Sequence, residues 1–146
     1  MYKVIIIEDD PMVASINKQY VELTSSFHVE ATFKNGILAL QYLQNCTVDL
    51  IILDYYTPQM NGDEFIDQLH AAGMTPAIIM VTSANDAETV RRLISRGVTD
   101  YLVKPFEYDR FKAALERFAK RQEELKTSTS ASDLGQAERS EERRVG

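Results

Sequence analysis

Apolar residues follow two rhythms along this chain. Short unbroken runs, Lys3-Val4-Ile5-Ile6-Ile7, Leu50-Ile51-Ile52-Leu53, Ala77-Ile78-Ile79-Met80-Val81 and Tyr101-Leu102-Val103, are separated by stretches in which apolar residues return every three or four positions. A continuous run of β-branched and leucine residues is what a strand buried on both faces requires, and such strands belong to parallel sheets covered by helices. Between Phe27 and Phe33 the pattern changes. Val29, Ala31 and Phe33 alternate with His28, Glu30 and Thr32, which predicts a half-exposed edge strand.

The intervening stretches read as helices. Met12, Val13, Ile16, Tyr20 and Leu23 recur at helical spacing behind Asp10 as N-cap and Pro11 in the first turn, and Thr24-Ser25-Ser26 ends the helix. A second helix opens at Asn35-Gly36 and carries Leu40 and Leu43. A third buries Phe65, Ile66 and Leu69 and stops at Gly73, with Pro76 just beyond. The fourth, from about Asp86 to Arg96, presents Ala87, Val90 and Ile94 to the core and ends at Gly97, a left-handed cap. The last, from about Glu107, buries Phe111, Leu115 and Phe118. Strands alternating with helices in this way predict an α/β fold: a parallel sheet, helices on both faces, right-handed crossovers. The strand ends with polar chemistry, Glu8 and Asp9, Asp54, Thr82 and Lys104, then share one edge, the edge at which open α/β sheets bind ligands.

Composition adds constraints. The 146 residues suffice for one domain with a substantial core, and 45% apolar with 26% charged residues is ordinary for a globular chain. A net charge of −6 argues against a nucleic-acid surface on this piece, because phosphate binding needs clustered Lys and Arg. No apolar run reaches signal-peptide or membrane-spanning length, so a cytoplasmic protein without membrane contact is expected. The single cysteine, Cys46, excludes an internal disulfide and a multi-cysteine metal site, and is expected to be a packing residue at the end of the second helix. From about Lys126 the pattern is lost. Thr127-Ser128-Thr129-Ser130-Ala131-Ser132 reads as linker, and Gln136 to Gly146 is charged with little to bury, so a domain over 1–125 is expected to be followed by a tail over 126–146 that is disordered or extended helix.

Asp54 closes a core strand and opens the turn-rich loop Tyr55 to Gly62. A carboxylate at that depth is costly unless it is paired, hydrogen-bonded or metal-bound. Glu8, Asp9 and Asp54 converging from two strand ends would repel: unit charges about 4 Å apart cost about 4 kcal/mol at an effective dielectric of about 20. A divalent oxygen-seeking cation relieves this, and Mg2+ suits a site with few carboxylates and no nearby Cys or His. With Lys104 and Thr82 on neighbouring strand ends, Asp54 can attack phosphorus to form an acyl phosphate while the ammonium and hydroxyl offset oxygen charge. Singly, each feature has a plainer meaning. Glu8-Asp9-Asp10 can be a capping cluster, Thr82 an N-cap, Lys104 a surface lysine before proline. Together, on the ends of different strands, they point to a site.

Ile7-Glu8-Asp9-Asp10-Pro11, Ile52-Leu53-Asp54 with Pro58 and Gly62, Met80-Val81-Thr82-Ser83-Ala84, and Asp100-Tyr101-Leu102-Val103-Lys104-Pro105-Phe106 closely resemble the receiver domains of two-component response regulators, over about residues 2–125. The resemblance implies a flavodoxin-like (βα)5 three-layer sandwich with strand order 2-1-3-4-5. It implies that Asp54 accepts phosphate from the phosphohistidine of a sensor histidine kinase. Mg2+ would be held by Asp9, Asp54 and the backbone carbonyl of Tyr56, with Glu8 acting through water. Thr82 and Tyr101 match the pair that moves on activation, Lys104 would hold the phosphoryl charge, and the Lys104–Pro105 bond is expected to be cis. The face of the fourth helix, fifth strand and fifth helix would carry the signal, making the chain a switch that catalyses only its own phosphorylation and slow dephosphorylation.

Narrower likenesses add detail. Many receivers have a smaller or polar residue where Tyr56 stands, beside the path of hydrolytic water, so Tyr56 is expected to slow phosphate loss. Asp9-Asp10-Pro11-Met12-Val13-Ala14, Asp100-Tyr101 and Gln136-Ala137-Glu138 look similar to regulators of citrate and C4-dicarboxylate metabolism. Those carry a helix-turn-helix domain after the receiver, so DNA binding and transcription control are expected from an output domain beyond Gly146. Arg91, Glu107, Asp109 and Arg110 are candidate contacts for a homodimer on phosphorylation. Two other readings stay open. A Mg2+-dependent aspartyl phosphatase would want an acid two residues beyond its nucleophile, where Tyr56 stands. A degenerate receiver that only binds proteins would have no need of Asp9, Asp54, Thr82 and Lys104 together.

Overall fold

In chain order, β1 (Tyr2–Ile7), α1 (Pro11–Leu23), β2 (Phe27–Phe33), α2 (Gly36–Leu43) and β3 (Leu50–Asp54) are followed by two short strands, β4 (Tyr56–Thr57) and β5 (Met60–Asn61). Then come α3 (Gly62–Ala71), β6 (Ala77–Thr82), α4 (Ala87–Ser95), β7 (Asp100–Val103) and α5 (Tyr108–Arg139). This is a computed structural model; it describes residues 1–83 and 86–139, with side chains as far as residue 127. The large sheet is parallel throughout, in the order β2-β1-β3-β6-β7. With β4 and β5 set aside, since they pair only with each other, that is the expected 2-1-3-4-5 order of the flavodoxin-like fold.

Side chains alternate across a strand, and here both sets are buried. Ile5, Ile7, Ile51, Leu53, Ile78 and Met80 join Ala39 and Leu43 of α2, Phe65, Ile66 and Leu69 of α3 and Leu93 of α4 in one core. Val4, Ile6, Leu50, Ile52, Ile79 and Val81, the intervening positions, are buried on the opposite face. There α1 lies against β1 and β2, and the Tyr20 ring meets Phe111 at 5.4 Å. The alternating segment is the sheet's edge, with Phe27 and Val29 buried and His28, Glu30 and Thr32 exposed.

The caps are local and legible. Asp10 accepts from the amides of Met12 and Val13, Asn61 and Glu64 form a reciprocal capping box, and Asp86 accepts from the amide of Thr89. Gly73 and Gly97 end α3 and α4 at φ of +73° and +94°.

Two helices are turned from the expected orientation. In α1, Met12, Ile16 and Leu23 are exposed while Asn17 and Val21 are buried. Val13, Asn17 and Val21 line up at i, i+4, i+8, and a polar residue in that row concealed it. In α4 it is Leu93, and not Ile94, that is buried; Ile94 is 49% exposed and Ala87 is exposed. Val90 and Leu93, three residues apart, share the core side. Cys46 is also not a packing residue. Because α2 ends at Leu43, Cys46 falls in the following loop, exposed, with a hydrogen bond to Tyr42.

The chain divides into two compact units, Met1–Ala114 and Leu115–Gly146. The sheet, α1 to α4 and the first turns of α5 make up the first. In the second, Leu115 and Phe118 are buried, and α5 runs on to Arg139 through the Thr127 to Ser132 segment whose composition reads as linker. No proline falls in that segment to break the helix. Residues 140–146 of the expected tail, and Ala84 of the run after β6, lie outside the described residues.

Candidate functional site

Register assembles the site. Ile7 pairs with Leu53, Asp54 with Val81 and Thr82 with Val103, so Glu8, Asp54, Thr82 and Lys104 sit at the carboxyl ends of four neighbouring strands. Carboxylate oxygens of Glu8, Asp9 and Asp54 lie within 4.8 Å of one another. Glu8 and Asp54 are buried and Asp9 is exposed. Lys104 reaches back across the edge. Its Nζ donates to Glu8 Oε1 at 3.1 Å and to Asp54 Oδ2 at 3.3 Å. Asp54 Oδ1 accepts from the Tyr56 amide at 3.3 Å. Thr82 is buried at the end of β6 and Tyr101 within β7, and the Lys104–Pro105 peptide is cis.

The charges strain against one another. Burial pushes the Glu8 carboxyl up to about 7, with the Asp54 charge adding to it, against the opposing Asp10 amide and Lys104. For Lys104, burial disfavours the ammonium, but the Asp54 and Glu8 carboxylates outweigh it and hold its pKa above the ordinary lysine value. Burial also raises the Tyr101 phenol, as do Asp86 and Tyr56. The acidic cluster offers oxygen ligands only, which suits a hard divalent cation. Beside it Lys104 faces the two buried carboxylates, Glu8 and Asp54.

The response regulator receiver domain family matches residues 4–116. The chain belongs to that family. A protein of Priestia megaterium named as a C4-dicarboxylate response regulator, DctR, is 40% identical to this receiver over 117 residues, which make up 80% of the chain and 51% of that protein. Its namesake in Halalkalibacterium halodurans is 40% identical over 137 residues, 91% of this chain and 60% of that one. The receiver therefore spans between about half and about three fifths of these curated relatives. A solved signal receiver domain from Vibrio parahaemolyticus shares the fold at a TM-score of 0.78 and 27% identity, covering 87% of this chain and 96% of that one. Receivers of this family generally act as switches and have an acidic metal pocket. Among the described residues no helix is long and apolar enough to cross a membrane.

A second cluster in this receiver escaped the reading of the sequence. Tyr55, the residue after Asp54, donates from its hydroxyl to Asp63 Oδ2 at 2.5 Å and accepts from Arg92 Nη2 at 3.1 Å. Arg92 also donates to Asp63 Oδ2 at 2.8 Å. Arg96 donates to Asp63 Oδ1 at 3.0 Å and pairs with Asp67. The available signal was the i, i+4 pair Arg92 and Arg96 opposite the i, i+4 pair Asp63 and Asp67, but nothing local says that α3 and α4 face each other. Arg110, a candidate dimer contact, donates to Asp100 Oδ1 at 3.2 Å and to the Tyr101 carbonyl at 3.0 Å within its own chain.

Proposed function

We propose that this receiver takes a phosphoryl group from the phosphohistidine of a sensor histidine kinase onto Asp54. The observation that carries the reading is Lys104 Nζ spanning Glu8 and Asp54 among three carboxylates at one sheet edge. An Asp54 carboxylate oxygen attacks phosphorus; the new O–P bond forms as the N–P bond to imidazole breaks, leaving an acyl phosphate and a free histidine. Lys104 is already beside Asp54 and offsets the charge on the phosphoryl oxygens. Thr82, one strand away, supplies the hydroxyl that turns toward the phosphoryl group, with Tyr101 as the ring that responds. Asp9, Asp54 and the Tyr56 carbonyl would hold Mg2+, with Glu8 acting through water; when bound, the ion neutralises phosphoryl oxygen charge. Tyr56 shields the acceptor from hydrolytic water and lengthens the life of the acyl phosphate.

The switch then reports through the face of α4, β7 and the first turns of α5. Residues 1–125 act as the receiver and 126 onward as the connection to an output domain that binds DNA. By likeness to relatives named for C4-dicarboxylates, the whole protein is a cytoplasmic transcription regulator responding to such acids, with phosphorylation favouring a homodimer. The decisive experiment is intact-mass measurement of wild type and Asp54→Ala after acetyl phosphate treatment, with Mg2+ or with EDTA. The expected result is one added phosphoryl group that requires both Mg2+ and Asp54. No gain under any condition overturns the proposal, and steady turnover of a small phosphate ester would replace it with a phosphatase.

A further inference from the structure

The phosphoryl chemistry uses Asp54 and Tyr56 and leaves Tyr55, between them, without a task. Yet Tyr55 is the most heavily anchored side chain of the loop. Its ring is 9% exposed and lies against Gly62, where an added Cβ would come within 2.7 Å of Tyr55 Cδ1. Its hydroxyl is gripped from two helices, by Asp63 of α3 at 2.5 Å and Arg92 of α4 at 3.1 Å. Those two partners also bind each other at 2.8 Å. Hydrogen bonds to ionised groups are the shorter and stronger kind, so the far end of the ring has little freedom. The near side carries Tyr56, whose ring meets it edge-on at 4.7 Å with an interplanar angle of 80°.

We propose that Tyr55 is a positioning residue through which α4 sets the lifetime of phosphate on Asp54. Arg92 and Asp63 fix the Tyr55 hydroxyl, the fixed ring holds the edge-on Tyr56 ring, and Tyr56 shields the acceptor. The inference rests on the phosphoacceptor reading and on the shielding role of Tyr56. An α4 that shifts away withdraws Arg92, releases the Tyr55 hydroxyl and loosens the shield. A partner that captures α4 in the shifted position therefore shortens the life of the signal, and one that holds α4 where it lies preserves it. The rival account is that the same bonds only staple α3 to α4; it predicts a loss of stability and no change in phosphate lifetime.

The test follows phosphate loss by intact mass after removal of acetyl phosphate, at one temperature and one Mg2+ concentration. Wild type, Tyr55→Phe and Arg92→Ala are compared, and both substitutions are repeated on a Tyr56→Ala background, with thermal unfolding measured alongside. Tyr55→Phe keeps the ring and removes only the oxygen, so it keeps the packing against Gly62. Each single variant is expected to lose phosphate several-fold faster than wild type, and neither should add to the loss rate once Tyr56 is alanine. A lower Tm with unchanged lifetime overturns the proposal in favour of the staple. An acceleration that persists undiminished on the Tyr56→Ala background also overturns it, because the effect would not run through Tyr56. A wild-type chain that takes up no phosphate removes the receiver reading and this inference with it. That result is distinct from a phosphorylated protein whose lifetime ignores Tyr55.

Discussion

Two tyrosines in sequence do different work because one is buried and one is not. Tyr55 is 9% exposed and bonded at its hydroxyl; Tyr56 is 59% exposed and touches Tyr55 edge-on. An aromatic pair contributes about 0.5–1.5 kcal/mol beyond area burial, and less when one ring is wet. Tyr56→Asn is therefore expected to leave folding nearly unchanged while phosphate leaves Asp54 faster. A quenched time course of the phosphorylated variant beside wild type measures this; equal rates would count against a shielding role. The neighbouring acids illustrate the same dependence on surroundings. Glu8 and Asp9 are consecutive, yet only Glu8 is buried, and burial beside Asp54 drives its carboxyl up to about 7.

Among the elements, α3 has a crowded start. Gly62 opens it, and a Cβ there would lie 2.7 Å from Tyr55 Cδ1, 3.0 Å from Met80 Cε and 3.1 Å from Met80 Sδ. Overpacking of this sort costs typically about 1–3 kcal/mol, so Gly62→Ala should lower the urea midpoint clearly. Gly97, after α4, has open space around its would-be Cβ but a φ of +94°. Gly97→Ala should therefore cost about 1–2 kcal/mol from backbone conformation alone. Finding Gly62→Ala neutral would mean that the Tyr55 ring can move, contrary to its anchoring. Helix ends such as these were legible because caps depend on adjacent residues. Helix faces were less so: in α1 a buried Asn17 interrupts the apolar row, and in α4 Leu93 and Ile94 are equally apolar, so the sequence cannot say which of them turns inward.

For the molecule as a whole, the carboxylates link stability to pH. Burial works to raise the Asp63 pKa, but the hydrogen bonds from Tyr55 and Arg92 and the Arg92 charge outweigh it and hold the pKa below the ordinary 3.8. Glu22 is held below 4.5, chiefly by the Val29 amide. Both groups bind protons more weakly in the folded chain than in the unfolded one. Their stabilisation is thus complete above the unfolded values and disappears as pH falls through the lower folded values. Urea unfolding across the acid range should show stability dropping below about pH 4. Asp63→Asn should be less stable at neutral pH and lose less on acidification. A slope identical to wild type would show that the Asp63 ion pairs contribute nothing to folding.

Local regularities decided much of this protein in advance. Unbroken apolar runs become central strands because both sheet faces are covered, the alternating run becomes the edge, and polar residues closing parallel strands must share one rim. The tertiary structure decided which groups meet across long separations. Lys104 reaches Glu8 across 96 residues of chain, and Arg92 reaches Tyr55 across 37. Such contacts depend on strand register and on the rotation of each helix about its axis. Periodicity leaves that rotation open by a residue, as Leu93 and Ile94 show. A one-residue turn of α4 that aimed Leu93, in place of Arg92, at Tyr55 would remove the link between the loop after Asp54 and the helix.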